Sequence, residues 1–108
     1  MLNILHRDAQ YIAIDKPRGL LVHRSPLDRH ATEFAVQQLR DQVGQLVNPC
    51  HRLDRATSGV LLFGLDAEAT RAAQDAFAER RATKTYHAVV RGWIEGAGVI
   101  DYDLRNEE

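Results

Sequence analysis

The run Gly59-Val60-Leu61-Leu62-Phe63-Gly64-Leu65 leaves this chain the fewest folding options. Five of its seven residues are apolar and turn-type residues bound it, which marks a buried strand. Asp66 follows as a good helix N-cap. Ala69, Ala73, Ala76 and Phe77 then line one face of a helix reaching about Arg80, while Arg71, Asp75 and Glu79 face outward as paired charges. So many alanines on the inward face imply a helix lying close on a sheet.

The remaining elements are read around that unit. Tyr11-Ile12-Ala13-Ile14 is β-rich, Asp15-Lys16-Pro17-Arg18-Gly19 has the composition of a turn, and Leu20-Leu21-Val22-His23 reads as a second strand. The pair predicts a hairpin or bent ribbon with Lys16 and Arg18 at its tip, either as phosphate contacts or as a solvated turn. Arg24 to His30 has no apolar period and reads as a loop. From Thr32, the residues Ala35, Val36, Leu39 and Val43 recur at helical spacing, and Gly44 supplies the stop. Pro49 biases Asn48 toward an extended backbone, so the chain should approach His51 stretched out. After the basic turn from Arg80 to Lys84, Tyr86 to Val90 reads as a strand, with Tyr86, Ala88 and Val90 on one face. Trp93 and Ile94 continue it, and Gly96 to Tyr102 reads as a turn and one more short strand. The sum predicts an α+β (mixed α/β) fold, a largely antiparallel or mixed sheet with two packed helices.

Length and charge narrow the function classes. With 108 residues, 44% hydrophobic and 27% charged, the chain is one ordinary globular domain with no transmembrane run. Its first residues lack the pattern of a signal peptide, so a cytoplasmic location is expected. The single Cys50 rules out an internal disulfide and suits a reducing compartment. Cys50 and the five scattered histidines define no metal-ligand spacing, and no metal is expected. The net charge of -1 is uneven. Residues 1–91 carry thirteen basic against ten acidic side chains, and residues 92–108 one against five. A mildly basic body is compatible with RNA without requiring it.

Directly before the buried strand comes His51-Arg52-Leu53-Asp54-Arg55-Ala56-Thr57-Ser58-Gly59. Asp54 sits between two arginines, which favour its ionised form, beside hydroxyl residues and a glycine suited to a tight loop. An ionised Asp can attack a carbon covalently. On residue types alone, an active site and an ion-paired surface loop are equally open.

HRLDRATSG followed by an apolar strand resembles the catalytic motif of the RluA-type pseudouridine synthases, which isomerise uridine to pseudouridine in RNA. Asp15 to His23 is similar to that family's "DKPxGLxVH" motif, and Lys84 to Gly92 to its "KxYxAxxxG" segment, in the family's order and at about its spacing. The resemblance covers the N-terminal half of such a catalytic domain, so residues 1–108 are expected to form a single, truncated one.

That resemblance implies an enzyme with no cofactor, in which Asp54 acts at the ribose and Tyr86 stacks on the detached uracil. It implies that Arg52 fills the space left by the flipped nucleotide; Arg55 is expected at the RNA, or only contacting the backbone or keeping Asp54 ionised, and Lys84 as a phosphate attractor or a structural pair. The missing leading RNA-binding module and the His23-Arg24-Ser25 variant lean toward the tRNA-acting, TruC-like branch, so tRNA is the expected partner ahead of rRNA. Other expectations stand beside it: a folded but inactive remnant that binds RNA weakly, a dimer through an exposed sheet edge, and, more remotely, an unrelated small α/β interaction domain.

Overall fold

The computed structural model describes residues 1–24, 32–93 and 95–100. The strands β1 (Asn3–Arg7), β2 (Tyr11–Lys16), β3 (Asn48–Pro49) and β4 (Gly59–Gly64) form one antiparallel sheet of order β1-β2-β4-β3. Two helices complete the α+β fold, α1 (Ala35–Val43) and α2 (Ala67–Ala78).

The buried run ahead of α2 is central, as its composition requires: β4 pairs with β2 from Tyr11↔Gly64 to Lys16↔Gly59 and with β3 on its other edge. Directly opposed residues in an antiparallel pair share a face. Ile12 lies opposite Phe63 and Ile14 opposite Leu61, and all four are 0% exposed. This quartet meets Ala35 and Leu39 of α1 with Leu20, Val22 and Leu53 in one apolar cluster. The alternate positions turn to α2. Tyr11 Oη donates to the Ala69 carbonyl at 2.8 Å, and a Cβ on Gly64 would lie 2.8 Å from the Thr70 backbone.

Local signals fixed several ends. Asp66 Oδ1 accepts from the Ala69 N–H at 2.7 Å and caps α2, while Gly44 closes α1 at a φ of 72°. β1, which the sequence reading omitted, is joined to β2 through Asp8, whose Oδ1 accepts from the Gln10 and Tyr11 N–H groups at 2.7 and 2.8 Å. The His6 side chain, then those two bonds, hold the Asp8 carboxyl down at about 2.

Two expected strands did not form. Leu20–His23 does not fold back on β2. The Leu21 and Val22 carbonyls instead accept from the Ala35 and Val36 N–H groups at 2.8 and 3.0 Å, serving donors at the start of α1 that have no partner within the helix. Tyr86–Val90 takes no part in the sheet ladders, and Tyr86, Val89, Val90 and Trp93 are all exposed. A strand needs an adjacent edge, and among the described residues none lies beside this one. Ile94, Asp101 and Tyr102, expected in the last strands, and Ser25 to His30 of the expected loop, lie outside the described residues.

Candidate active site

The loop from His51 to Ser58 leaves the sheet after β3 and re-enters it at β4. Leu53 is the inward anchor, 7% exposed and part of the core, so its neighbours Arg52 and Asp54 are turned outward and exposed. The Thr57 N–H donates to the Asp54 backbone carbonyl at 2.9 Å and closes a turn that begins at Asp54. Gly59, at a φ of 131°, takes a conformation that a residue with a Cβ adopts poorly as the chain re-enters the sheet.

Lys16 is where the sequence reading needs correction. It is neither a hairpin tip nor a phosphate contact but is 0% exposed, because it continues the inward face of β2 after Ile12 and Ile14. Its ammonium donates to the carbonyls of Pro17, Leu20 and Arg55 at 2.9, 2.6 and 3.3 Å. Burial lowers its pKa, and the charge of Asp54 works in the opposite direction. A buried cation thus ties the Pro17–Gly19 turn to the Asp54 loop. Two more bonds run alongside: the Gly19 N–H donates to the Arg55 carbonyl at 2.7 Å, and Arg55 Nε donates to the Gly19 carbonyl at 3.0 Å. Period-two spacing with Ile12 and Ile14 was the available signal; the positive charge obscured it.

His51 was a second omission. Its Nε2 accepts from the Leu62 N–H at 3.0 Å, and its ring lies 4.8 Å from that of Phe77. Burial is the main cause that lowers its pKa, helped by Lys84. Lys84 is exposed, with its ammonium 5.0 Å from the Phe77 ring centroid. Cys50 is buried, and burial pushes its thiol up, away from thiolate chemistry.

The five residues singled out in the sequence therefore fall into groups. Arg52, Asp54 and Arg55 share one braced loop, and Lys84 stands near the His51 end of it through Phe77. Tyr86 is 59% exposed and makes no hydrogen bond or ring contact with the loop among the described residues. An exposed carboxylate with arginines beside it in sequence, on a loop fixed from below, is placed to meet a charged partner.

The family model described as "RNA pseudouridylate synthase" matches residues 10–108. The chain belongs to the RNA pseudouridylate synthase family. Curated relatives named tRNA pseudouridine synthase C are similar along nearly all of it. The Vibrio parahaemolyticus protein is 56% identical over 106 residues, covering 98% of this chain and 43% of its own length. The Vibrio cholerae protein is 55% identical over 107 residues, covering 99% and 44%. The Yersinia pestis protein is 49% identical over 107 residues, covering 99% and 42%. The chain thus spans less than half the length of these curated relatives. Among solved structures, human RNA Pseudouridylate Synthase Domain Containing 1 superposes with a TM-score of 0.59 at 30% identity, over 75% of this chain and 29% of that one.

Proposed function

We propose that this chain carries the catalytic loop of an RNA pseudouridine synthase acting on tRNA in the cytoplasm, with Asp54 as the carboxylate that works at ribose C1′. The observation that carries the reading is the outward Asp54 on a loop anchored inward by Leu53 and tied down by buried Lys16. The reaction breaks the bond from C1′ to uracil N1 and forms one from C1′ to C5. C5 gives up its proton and N1 gains one, so no atom is lost overall.

Drawing the uridine out of its stack costs a few kcal/mol, about what stacking on one aromatic ring returns, roughly 1–3 kcal/mol. Tyr86 is assigned that stacking role, and its exposure leaves its ring available. Arg52 stands in for the displaced nucleotide, since a planar cation can stack on bases and pair with phosphate. Arg55 and Lys84 add positive charge toward the RNA backbone. The names of the relatives support tRNA over rRNA.

A second reading has its own observation. Among the described residues the segment holding Tyr86 pairs with no strand and Tyr86 makes no bond or ring contact with the loop, which favours a piece that folds without turning over substrate. Tritium release from tRNA labelled at uridine C5 separates the two. The assay uses the 108-residue chain and the same chain extended by the C-terminal remainder of the Vibrio parahaemolyticus relative. Release from the extended protein, cut at least about a thousandfold by Asp54→Asn, supports the assignment. Release that survives Asp54→Asn removes Asp54 from it. Activity confined to the extended protein identifies the shorter chain as a folded but incomplete site.

A further inference from the structure

The end of the β3–β4 ladder is built in an unusual way. The Cys50 N–H donates to the Leu62 carbonyl at 2.9 Å, as a paired residue should. In a regular antiparallel pair the opposing residue returns the exchange by accepting the Leu62 N–H on its own carbonyl. Here that N–H goes to a side chain, Nε2 of His51, at 3.0 Å. The backbone is thereby free to leave the sheet immediately after Cys50 without leaving an amide of β4 unpaired.

A nitrogen that accepts this bond carries no proton, so the ring is neutral with its proton on Nδ1. Nδ1 is itself buried without a partner of good hydrogen-bond geometry, and the Arg52 backbone beside it acts on the ring in the raising sense, against the larger effect of burial. The surroundings agree with a neutral ring. β4 is apolar from Val60 to Phe63, Phe77 of α2 is uncharged, and Lys84 is the charged group that acts on the ring. The neighbouring Cys50 thiol stays protonated.

We propose that His51 is a positioning residue for Asp54: its neutral imidazole completes the β3–β4 ladder in place of a backbone carbonyl and sets where the chain turns out of the sheet into the loop. The link to catalysis rests on the role given to Asp54 above; the link to loop geometry does not. Protonation would turn Nε2 into a second donor facing the Leu62 N–H. The folded-state pKa of His51 lies below 6.5. Its support for the loop is therefore complete above pH 6.5 and is lost as the pH falls through that lower folded value.

The test is amide exchange on the isotope-labelled chain from about pH 7.5 downward until the imidazole resonances of His51 show that the ring has titrated. His51→Gln offers an acceptor that does not titrate, and His51→Leu offers none. The wild type should lose about tenfold of the protection of the Leu62 and Thr57 amides toward acid, with Ile12 and Ile14 still protected as a report on the sheet. His51→Gln should keep that protection throughout, and His51→Leu should lack it even at neutral pH. An identical acid response in His51→Gln and wild type, or Thr57 still protected in His51→Leu, overturns the proposal. Should His51→Leu fail to fold, the comparison of wild type with His51→Gln decides alone. In the extended protein, His51→Gln should also remove the acid limb of tritium release. Because exchange needs no turnover, an inactive protein with the expected protection pattern would count against the enzymatic reading and not against the placement of His51.

Discussion

Lys16→Met keeps most of the length and the apolar stem of the side chain but withdraws the donors from Pro17, Leu20 and Arg55. The Leu20 carbonyl, bonded in a buried setting, is then left without this partner. The expected cost is about 1–3 kcal/mol, read as a lower midpoint of thermal unfolding. Lys16→Arg should restore little, because a planar guanidinium cannot reach three diverging carbonyls from a single nitrogen. A Lys16→Met protein that melts with the wild type would sink this account. At this scale the sequence was a mixed guide. Asp54 and Arg52 were picked out by their company, since an acid between two arginines is visible in the string. Lys16 was misjudged because proline and glycine after it announce a turn, while the evidence for burial lay in its spacing from Ile12 and Ile14.

Among the elements, β4 and α2 meet so closely that no side chain fits at Gly64. A methyl group on Gly64 would stand 2.8 Å from both Cα and N of Thr70, atoms of a helix turn that cannot give way like the end of a flexible side chain. Gly64→Ala should therefore cost about 1–3 kcal/mol through overpacking, seen as a lower denaturant midpoint with an unchanged slope. Equal stability of variant and wild type would mean that the helix shifts freely. β4, the Asp66 cap and α2 were legible because their signals are local: an apolar run, a capping acid, a period of alanines. The Tyr86–Val90 segment has the composition of a strand and forms none, since pairing depends on an edge supplied from elsewhere, which no residue within the segment encodes. β1 went unseen for a related reason. Asn3 to Arg7 is exposed along most of its length and gains its strand character by pairing with β2.

The described residues fall into two unlike parts, a sheet covered by helices and a stretch from Tyr86 onward rich in exposed apolar side chains. Trp93, the single tryptophan, is 86% exposed, and Val89, Val99 and Ile100 are exposed to a similar degree. Where such side chains adjoin, they mark contact surfaces. In dilute solution Trp93 should emit like an indole in water and be quenched by acrylamide almost as readily as the free amino acid. If copies associate through this stretch, quenching should fall and emission shift to the blue as sedimentation reports a larger mass. A Trp93 that resists quenching in a demonstrably monomeric chain would show that the stretch is covered by the chain itself. The chain's two lysines also divide along this line, one sealed inside and one in the open. An amine-reactive reagent meets Lys84 and the amino terminus in every molecule, and meets Lys16 only in those whose Asp54 loop has lifted away from the turn beneath it. The ratio of the two acylation rates is therefore an internal clock for loop opening.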